Sequence, residues 1–297
     1  MKEACHYPVM YREVLELLDV EKRKVVVDCT AGIGSHSYKL LEAMGKEGFL
    51  IGIDRDQNSL NVANARLEPF KGRFSLVRDN FANLDKILGD LDIEKVDAFL
   101  FDLGISTYQL SDSARGFSFL EEGPLDMRMD KDSFLSAYDL VNNLSEVELG
   151  NIFKKFGEER YSRRVAHFLV GARKDKPIST TSQLRDLIIQ AIPGKARGGR
   201  IHPATRIFQA LRIAVNRELE AIGAALSCAV SHLGRGGRIG VISFHSLEDR
   251  IVKHLYKDYS AKNILKIINR KPFIPTEEER GENRPSRSAK LRVAEKI

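Results

Sequence analysis

A glycine-containing segment that follows a short apolar run is the first part of the sequence with the residue types of a cofactor site. The segment Asp28–Ser37 has the sequence DCTAGIGSHS and follows the valines of Val25–Val27. An unbroken run of β-branched residues is typical of a parallel strand that is covered on both faces. Gly32 and Gly34 allow the backbone to approach a ligand, and a helix that begins at Ser35 offers free N–H groups. The pattern predicts a strand, a turn and a helix that together bind a nucleotide-type cofactor.

An acidic residue follows at the spacing that a ribose-binding residue requires. Asp54 ends a second apolar run, Gly48–Ile53, roughly 20 residues beyond the glycines. An acid at this position accepts hydrogen bonds from ribose hydroxyls in nucleotide-binding folds. Alone, the glycine pair is equally typical of a tight strand–helix turn, and Asp54 is typical of a solvated strand end. Together they favour a pocket for an adenosine-containing cofactor.

The missing third glycine bears on which cofactor the pocket binds. Ser37 stands where a dinucleotide-binding sequence has glycine for close packing against a pyrophosphate. S-adenosylmethionine has no phosphate and therefore does not need the full pattern, and Asp28 is placed to hold its amino-acid end. An NAD-dependent oxidoreductase would share the first strands and stays open as an alternative. Comparing the binding of S-adenosylmethionine and NAD distinguishes the two.

Composition and charge set broad limits on the class of protein. The 297 residues predict about two domains, and 47 Lys and Arg against 41 Asp and Glu permit a nucleic-acid partner without requiring one. Cys5, Cys29 and Cys228 have no C-x-x-C spacing, which indicates a reducing compartment and argues against disulfides and a structural zinc site. His202 and His245 lack the ligand spacing of a metal site, so we expect no bound metal. Neither an apolar signal core nor a run near 18 apolar residues is present. We therefore expect a soluble, cytoplasmic protein.

The first third of the chain alternates between strand and helix patterns. Such alternation predicts an α/β fold with a parallel sheet, in which ligands bind at the carboxyl ends of the strands. Acidic or amide side chains follow these ends at Asp28, Asp54, Asp79–Asn80 and Asp102. The predicted strands are Val25–Asp28, Phe49–Asp54, Arg73–Val77 and Val96–Asp102, with helices at Tyr11–Leu18, Ser35–Met44, Asn58–Leu67 and Leu84–Leu88.

The alternation stops after the fourth strand. Between Ser111 and Gly199 the patterns are helical, with a capping box at Ser145 and Glu148. We therefore predict an inserted all-helical substrate-recognition domain over 111–199, and a cofactor-binding domain formed by 1–110 and 200–297. The remaining predicted elements are helices at Glu158–Arg173, Thr181–Ile192, Ala204–Leu233 and Leu247–Tyr256 and strands at Arg238–Phe244 and Leu291–Ala294.

Six motif-like segments are spread over nearly the whole chain. They are Asp28–Ser37 (DCTAGIGSHS), Phe101–Ser106 (FDLGIS), Arg115–Phe119 (RGFSF), Gly123–Met129 (GPLDMRM), His202–Arg206 (HPATR) and Ser243–Arg250 (SFHSLEDR). Together these segments resemble the RsmH (MraW) family of bacterial methyltransferases. The resemblance implies a class I, Rossmann-like methyltransferase with an inserted helical domain. It also implies methyl transfer from S-adenosylmethionine to N4 of a cytosine in the decoding region of 16S ribosomal RNA, within the small ribosomal subunit.

The same resemblance implies a set of cofactor contacts. This sequence departs from the family pattern at Cys29 and Ser35, where glycine is usual, and at Tyr108, where proline is usual. Ser35 still offers its backbone N–H, so the departure leaves the expected cofactor unchanged. The implied contacts are Gly34, Ser35, His36, Asp54, Phe81, Asp102 and Gln109.

Methylation of a cytosine amine requires acceptors near the transferred methyl group. The amine is a poor nucleophile because its lone pair is delocalised into the ring, so the enzyme must align it and accept its hydrogens. Asp102 at the end of the fourth strand is the first candidate, and Ser106 is a weaker one. Asp102 could equally contact only the cofactor, and no single general base can be named. A non-catalytic ribosome-assembly factor stays open, and methyl transfer to RNA distinguishes it.

Basic residues near the end of the helical insertion are candidates for RNA binding. Lys195, Arg197 and Arg200, with Arg206 and Arg212 after them, form the densest basic stretch, which could equally be a solvated loop and helix face. His202 and His245 lie in family motifs and could face the substrate, but they could also begin a helix and orient a loop. A base extruded toward the cofactor could stack on Tyr108, Phe117 or Phe119, although these aromatics could be core residues.

Overall fold

The structure is a computed structural model, and it describes residues 7–199 and 201–297. Its chain forms two compact units. One unit comprises the chain up to Gly104 together with Leu219–Ile297, and the other comprises Ile105–Glu218. No helix of the described residues is long and apolar enough to cross a membrane.

The first unit contains a seven-stranded sheet with the order β3-β2-β1-β4-β5-β7-β6. Strands β1 to β5 are parallel, whereas β7 runs antiparallel to both β5 and β6. This arrangement confirms the predicted α/β class. The strand β6, which is only three residues long, was not predicted. The strands are β1 Val25–Asp28, β2 Phe49–Asp54, β3 Phe74–Arg78, β4 Val96–Asp102, β5 Leu233–Ser243, β6 Leu265–Ile267 and β7 Lys290–Lys296.

Helices precede and follow the strands and build most of the second unit. Helices α1 to α4 and α12 to α14 carry residues of the sheet unit, and α5 to α11 belong to the helical unit. They are α1 Tyr11–Leu18, α2 Ser35–Ala43, α3 Gln57–Arg66, α4 Leu84–Asp90, α5 Thr107–Ser111, α6 Ala137–Asn143, α7 Glu146–Gly157, α8 Ser162–Ala172, α9 Thr181–Ala191, α10 Gly194–Arg197, α11 Thr205–Asn216, α12 Glu218–His232, α13 Ser246–Ala261 and α14 Glu277–Glu282.

Alternate residues of the central strands are buried in two apolar clusters. Val27 and Phe99 belong to one cluster, while Val26 and Leu100 belong to the other. Because successive side chains of a strand point to opposite faces, each central strand needs apolar residues at every position. The unbroken apolar runs in the sequence are therefore explained by helices that cover both faces of the sheet.

The helical unit has its own core, and its helices begin where the sequence supplies caps. Ser145 accepts the Glu148 N–H, and Thr180 accepts the Gln183 N–H, in capping boxes that start α7 and α9. Three predictions of helices were wrong in their bounds. The helix predicted at Leu247–Tyr256 is α13, which continues to Ala261. Left-handed backbone at Glu158 (φ 49°) ends α7 and delays α8 to Ser162, instead of the predicted start at Glu158.

The predicted single helix over Ala204–Leu233 is also wrong. Arg217 has a positive φ of 51°, which ends α11 at Asn216, and α12 begins at Glu218. The compact units divide beside this break, after Glu218. The predicted domain bounds of 110 and 200 differ from these units, because α11 packs against α7 within the helical unit.

Candidate functional site

The glycine turn is held by hydrogen bonds from its own ends. Gly32 and Gly34 have positive φ values of 52° and 79°, which glycine adopts without the strain that a side chain would cause. Asp28 is fully buried, and its carboxylate accepts the Ser37 hydroxyl at 2.7 Å and the Thr30 N–H at 3.2 Å. Burial raises the pKa of Asp28. Asp28 therefore holds the turn from the interior, and a contact with a cofactor's amino-acid end stays a prediction.

Asp54 connects the end of β2 to the same turn. Its Oδ2 accepts the Gly32 N–H at 2.8 Å, and its Oδ1 accepts the Asp56 N–H at 2.9 Å. Burial raises the pKa of Asp54 to about 6, although both backbone hydrogen bonds lower it. A carboxylate has about four acceptor positions, so Asp54 retains capacity to accept ribose hydroxyls.

Asp102 and His36 lie together at the carboxyl end of β4 and the start of α2. The Asp102 N–H donates to Thr30 Oγ1 at 2.7 Å, and its Oδ2 lies 3.3 Å from His36 Nε2. Burial lowers the pKa of His36, but the hydrogen bond and charge of Asp102 outweigh it, so that pKa is raised. The other oxygen of Asp102, Oδ1, is buried and has no hydrogen-bond partner among the described residues. A buried acceptor of this kind is expected to meet a donor from a ligand.

The loop after β3 completes this edge of the sheet. The Asp79 N–H donates to the Asp54 backbone oxygen at 3.0 Å, so this loop begins beside the ribose-binding candidate. Phe81 is half-buried and packs edge-on against Phe101, with ring centroids 5.8 Å apart. Ser35 accepts a hydrogen bond from Arg66 through its hydroxyl. The structure thus brings Gly32, Gly34, Ser35, His36, Asp54, Phe81 and Asp102 to one edge of the sheet unit.

Gln109 and Ser106 belong to the helical unit, where they cap α5. Ser106 Oγ accepts the Gln109 N–H at 3.1 Å, and Gln109 Oε1 accepts the Ser106 N–H at 3.4 Å. The positions of both side chains are therefore explained by helix capping alone, without a cofactor or substrate contact. The spacing S-x-x-Q is a capping box that the sequence already contained. A cofactor contact at Gln109 and a catalytic contact at Ser106 stay predictions.

His245 begins α13 rather than standing free at the end of β5. Its Nδ1 accepts the Glu248 N–H at 3.3 Å, while Glu248 Oε2 accepts the Phe244 N–H at 2.8 Å. Asp249 lies in the first turn of α13, and its Oδ1 accepts a hydrogen bond from Arg292 Nε at 2.6 Å, which fixes this turn. The loop-orienting alternative for His245 therefore has a direct structural basis, and substrate contact stays a prediction.

The candidate RNA-binding residues differ in how much of their charge is available. Lys195 and Arg197 are exposed on α10, where Arg197 Nε also donates to the Ile192 oxygen at 2.8 Å. Arg206 is exposed on α11. Arg212 donates from two of its three guanidinium nitrogens, Nε and Nη2, to the Glu218 carboxylate, at 2.9 and 3.0 Å, which removes it as a free phosphate contact. Arg200 lies outside the described residues.

The three candidate aromatics also separate. Phe117 is buried in the core of the helical unit, so it does not present a stacking surface. Phe119 stacks on the exposed His202, with centroids 4.7 Å apart and planes 23° apart. Tyr108 is exposed. Stacking on a base therefore stays a prediction for Tyr108 and Phe119, and substrate contact stays a prediction for His202.

Sequence reasoning missed the polar framework within the helical unit. Buried Asn216 donates to the Met127 oxygen and accepts the Met129 N–H, both at 2.8 Å. Arg115 donates to the backbone oxygens of Arg128 and Met129. These side chains form hydrogen bonds with irregular backbone that is distant in sequence, so no local sequence motif indicates them. They are recognised only in the folded structure.

Known proteins match this chain over nearly its whole length. The model of the MraW methylase family matches residues 3–297. A protein of Persephonella marina named ribosomal RNA small subunit methyltransferase H is 49% identical over 98% of this chain and 99% of its own length. Proteins of the same name from Clostridium botulinum, at 44% identity, and Geotalea uraniireducens, at 46%, match 99% and 100% of this chain and 100% of their own lengths.

Proposed function

The chain belongs to the MraW methylase family, and from that premise we propose that it methylates ribosomal RNA of the small subunit. S-adenosylmethionine is the methyl donor. The finer proposal is that the acceptor is N4 of a cytosine in the decoding region of 16S ribosomal RNA. Relatives named ribosomal RNA small subunit methyltransferase H that align end to end support the substrate class. A ribosomal substrate also supports a cytoplasmic location.

The residues at the edge of the sheet fit this cofactor. The turn at Gly32 and Gly34 has no side chain to obstruct a ligand, and α2 begins there with N–H groups that lack helical partners. Asp54 is suited to the ribose hydroxyls, and half-buried Phe81 offers an apolar surface for the adenine. The buried, unpartnered Asp102 Oδ1 is suited to a donor from the ligand or the substrate. When bound, S-adenosylmethionine supplies a methyl group on a positively charged sulfur.

Asp102 is the residue to which we assign the main role toward the acceptor amine. Its Oδ1 accepts a hydrogen bond from the N–H of the acceptor amine. This hydrogen bond orients the amine toward the methyl group and holds its hydrogen while the nitrogen lone pair leaves conjugation with the ring. The Thr30 hydroxyl fixes the Asp102 backbone, and His36 lies beside Oδ2. The buried acceptor Asp102 Oδ1 is the single observation that carries this assignment. The sheet unit thus binds the donor, while the helical unit with Lys195 and Arg197 recognises RNA.

Methyl transfer to RNA tests the proposal. The protein and radiolabelled S-adenosylmethionine are incubated with naked 16S RNA or with small ribosomal subunits, and digestion followed by mass spectrometry identifies the modified nucleoside. We expect N4-methylated cytidine from a single decoding-region site. Cofactor binding without transfer to either RNA would favour the assembly-factor alternative. Transfer to another atom or nucleotide would retain the activity and reject the N4-cytosine assignment.

A further inference from the structure

Three metal-ligating side chains converge on the sheet unit, away from the glycine turn. Asp85 lies in the first turn of α4, and Cys228 and His232 lie one helical turn apart near the end of α12. One ligand atom from each residue lies within 4.8 Å of the others. None of the three has a role in the proposed methyl transfer.

The spacing on α12 presents the cysteine and the histidine to the same place. Residues at i and i+4 of a helix lie on one face, about one turn apart. Cys228 is half-buried and packs against the apolar cluster beneath the sheet, which restricts its side chain. Asp85 has an 86% exposed side chain, so its carboxylate can adjust to a ligand.

The hydrogen bonds of His232 are those of a metal-ligating imidazole. Its Nδ1 lies 3.3 Å from the Glu94 backbone oxygen, which can only accept. The proton of a neutral ring is therefore placed on Nδ1, and the lone pair is left on Nε2. Nε2 lies 2.9 Å from Asp85 Oδ1. A lone pair and a carboxylate oxygen this close need a positive charge between them, either a second proton or a metal ion.

Against the expectation from the sequence that no metal is bound, we propose that Asp85, Cys228 and His232 form a zinc-binding site that joins α4 to α12. Thiolate, imidazole and carboxylate are ligands that zinc accepts, at about 2.3 Å from sulfur and about 2.0–2.2 Å from nitrogen or oxygen. Three protein ligands with a water in the fourth position complete a tetrahedral site. Asp85 Oδ1 and His232 Nε2 already lie 2.9 Å apart, and all three ligand atoms lie within 4.8 Å of one another.

The charges around the site permit a cation. The last carbonyl groups of a helix carry partial negative charge, and α12 ends at His232. Two lysines already bond these carbonyls, Lys296 to Val230 at 2.9 Å and Lys95 to Ser231 at 3.3 Å. Because these two ammonium groups bond backbone oxygens, they do not pair with Asp85 or Cys228. The negative charges of the Asp85 carboxylate and the Cys228 thiolate therefore remain to neutralise the charge of the metal ion.

Zinc binding by the full-length protein tests the proposal. Metal-free protein, reduced and dialysed, is titrated with Zn²⁺ by calorimetry in the absence of S-adenosylmethionine, and with Co²⁺ as a spectroscopic substitute. We expect one zinc per chain, a thiolate-to-cobalt charge-transfer band and a zinc-dependent rise in melting temperature. Changing a residue that only orients a metal ligand lowers metal affinity about 10- to 100-fold. Cys228→Ser and His232→Gln each remove a ligand itself, so each should weaken zinc binding by at least that much.

A second His–carboxylate pair provides the matched control. His167 Nδ1 lies 3.0 Å from Glu146 Oε2 on the surface of the helical unit. His167→Gln should leave zinc affinity and the cobalt band unchanged, and Cys5→Ser should do the same. A cobalt spectrum without a thiolate band, or zinc affinity that survives Cys228→Ser in a folded variant, would overturn the proposal and leave a hydrogen-bonded Asp85–His232 pair.

Discussion

Replacement of Asp54 is the most direct test of the cofactor site. Asp54→Ala removes a carboxylate that accepts two backbone N–H groups, from Gly32 at 2.8 Å and Asp56 at 2.9 Å. Hydrogen bonds to a charged group contribute about 1.5–3 kcal/mol each. Loss of a ribose contact of that strength raises the dissociation constant for S-adenosylmethionine about 10- to 100-fold.

The pH dependence of binding gives an independent measurement on the same residue. Because burial raises the pKa of Asp54 to about 6, its carboxylate is ionised at pH 7.5 and becomes protonated below pH 6. Protonation removes acceptor capacity, so the dissociation constant should be constant above pH 7 and rise below pH 6, by at most about tenfold per pH unit, until it reaches the roughly 10- to 100-fold increase expected for Asp54→Ala. The stability of the fold should change with pH in the opposite direction. Because the pKa of Asp54 is higher in the folded chain than in the unfolded chain, the folded state binds more protons, and the free energy of unfolding contributed by Asp54 increases as pH falls from 6 toward 4.

Asp97 supplies the matched control for Asp54. It also accepts two backbone N–H groups, from Lys24 at 2.8 Å and Val25 at 2.9 Å, but at the amino ends of the strands. Asp97→Ala should therefore change stability without changing affinity for S-adenosylmethionine. Calorimetric titration of both variants, with melting curves to establish folding, makes the comparison. A wild-type dissociation constant in folded Asp54→Ala, or an unchanged pH profile in Asp54→Asn, would refute the ribose assignment.

Three further predictions concern catalysis, RNA binding and stability. Asp102→Asn should lower kcat about 100-fold or more with less than a tenfold change in cofactor affinity, as measured by methyl transfer and calorimetry; the reverse pattern would make Asp102 only a cofactor contact. Neutralising Lys195, Arg197 and Arg200 together should reduce the salt slope of RNA binding by about 2 to 3, measured by filter binding, and an unchanged slope would make them solvated residues. Asn216→Ala should lower the free energy of unfolding by about 2–4 kcal/mol, followed by thermal melting, because it leaves backbone groups of Met127 and Met129 unpaired.

Local patterns were sufficient for most of the sheet and for the ends of several helices. The apolar runs gave β1, β2 and β4 with the bounds that the structure has, because each strand is covered on both faces. The capping residue Ser145 identified the start of α7 for a similarly local reason. The break at Arg217 left no such signal, since arginine favours helices and adopts positive φ here only within the folded chain.

The candidate site was predictable in its residues but less so in their roles. Glycine positions and strand-end acids are local features, and they identified Gly32, Gly34 and Asp54. Whether an acid faces a ligand or the interior depends on neighbours distant in sequence, as Asp28 illustrates by accepting the Ser37 hydroxyl. The S-x-x-Q spacing of Ser106 and Gln109 is a capping-box signal, and it matches the hydrogen bonds that these two residues make at the start of α5.

The residue that replaces the third glycine, Ser37, forms a hydrogen bond with the buried acid Asp28. Ser37 is fully buried, and its hydroxyl is one of two donors to the Asp28 carboxylate, which has no exposed surface. Glycine at position 37 would remove that donor and leave Asp28 Oδ2 buried without it, at a cost of about 1–3 kcal/mol. A turn that keeps Asp28 therefore also keeps a side chain at the position that a dinucleotide-binding turn reserves for glycine. The departure from the dinucleotide pattern at Ser37 is thus part of how this turn is held.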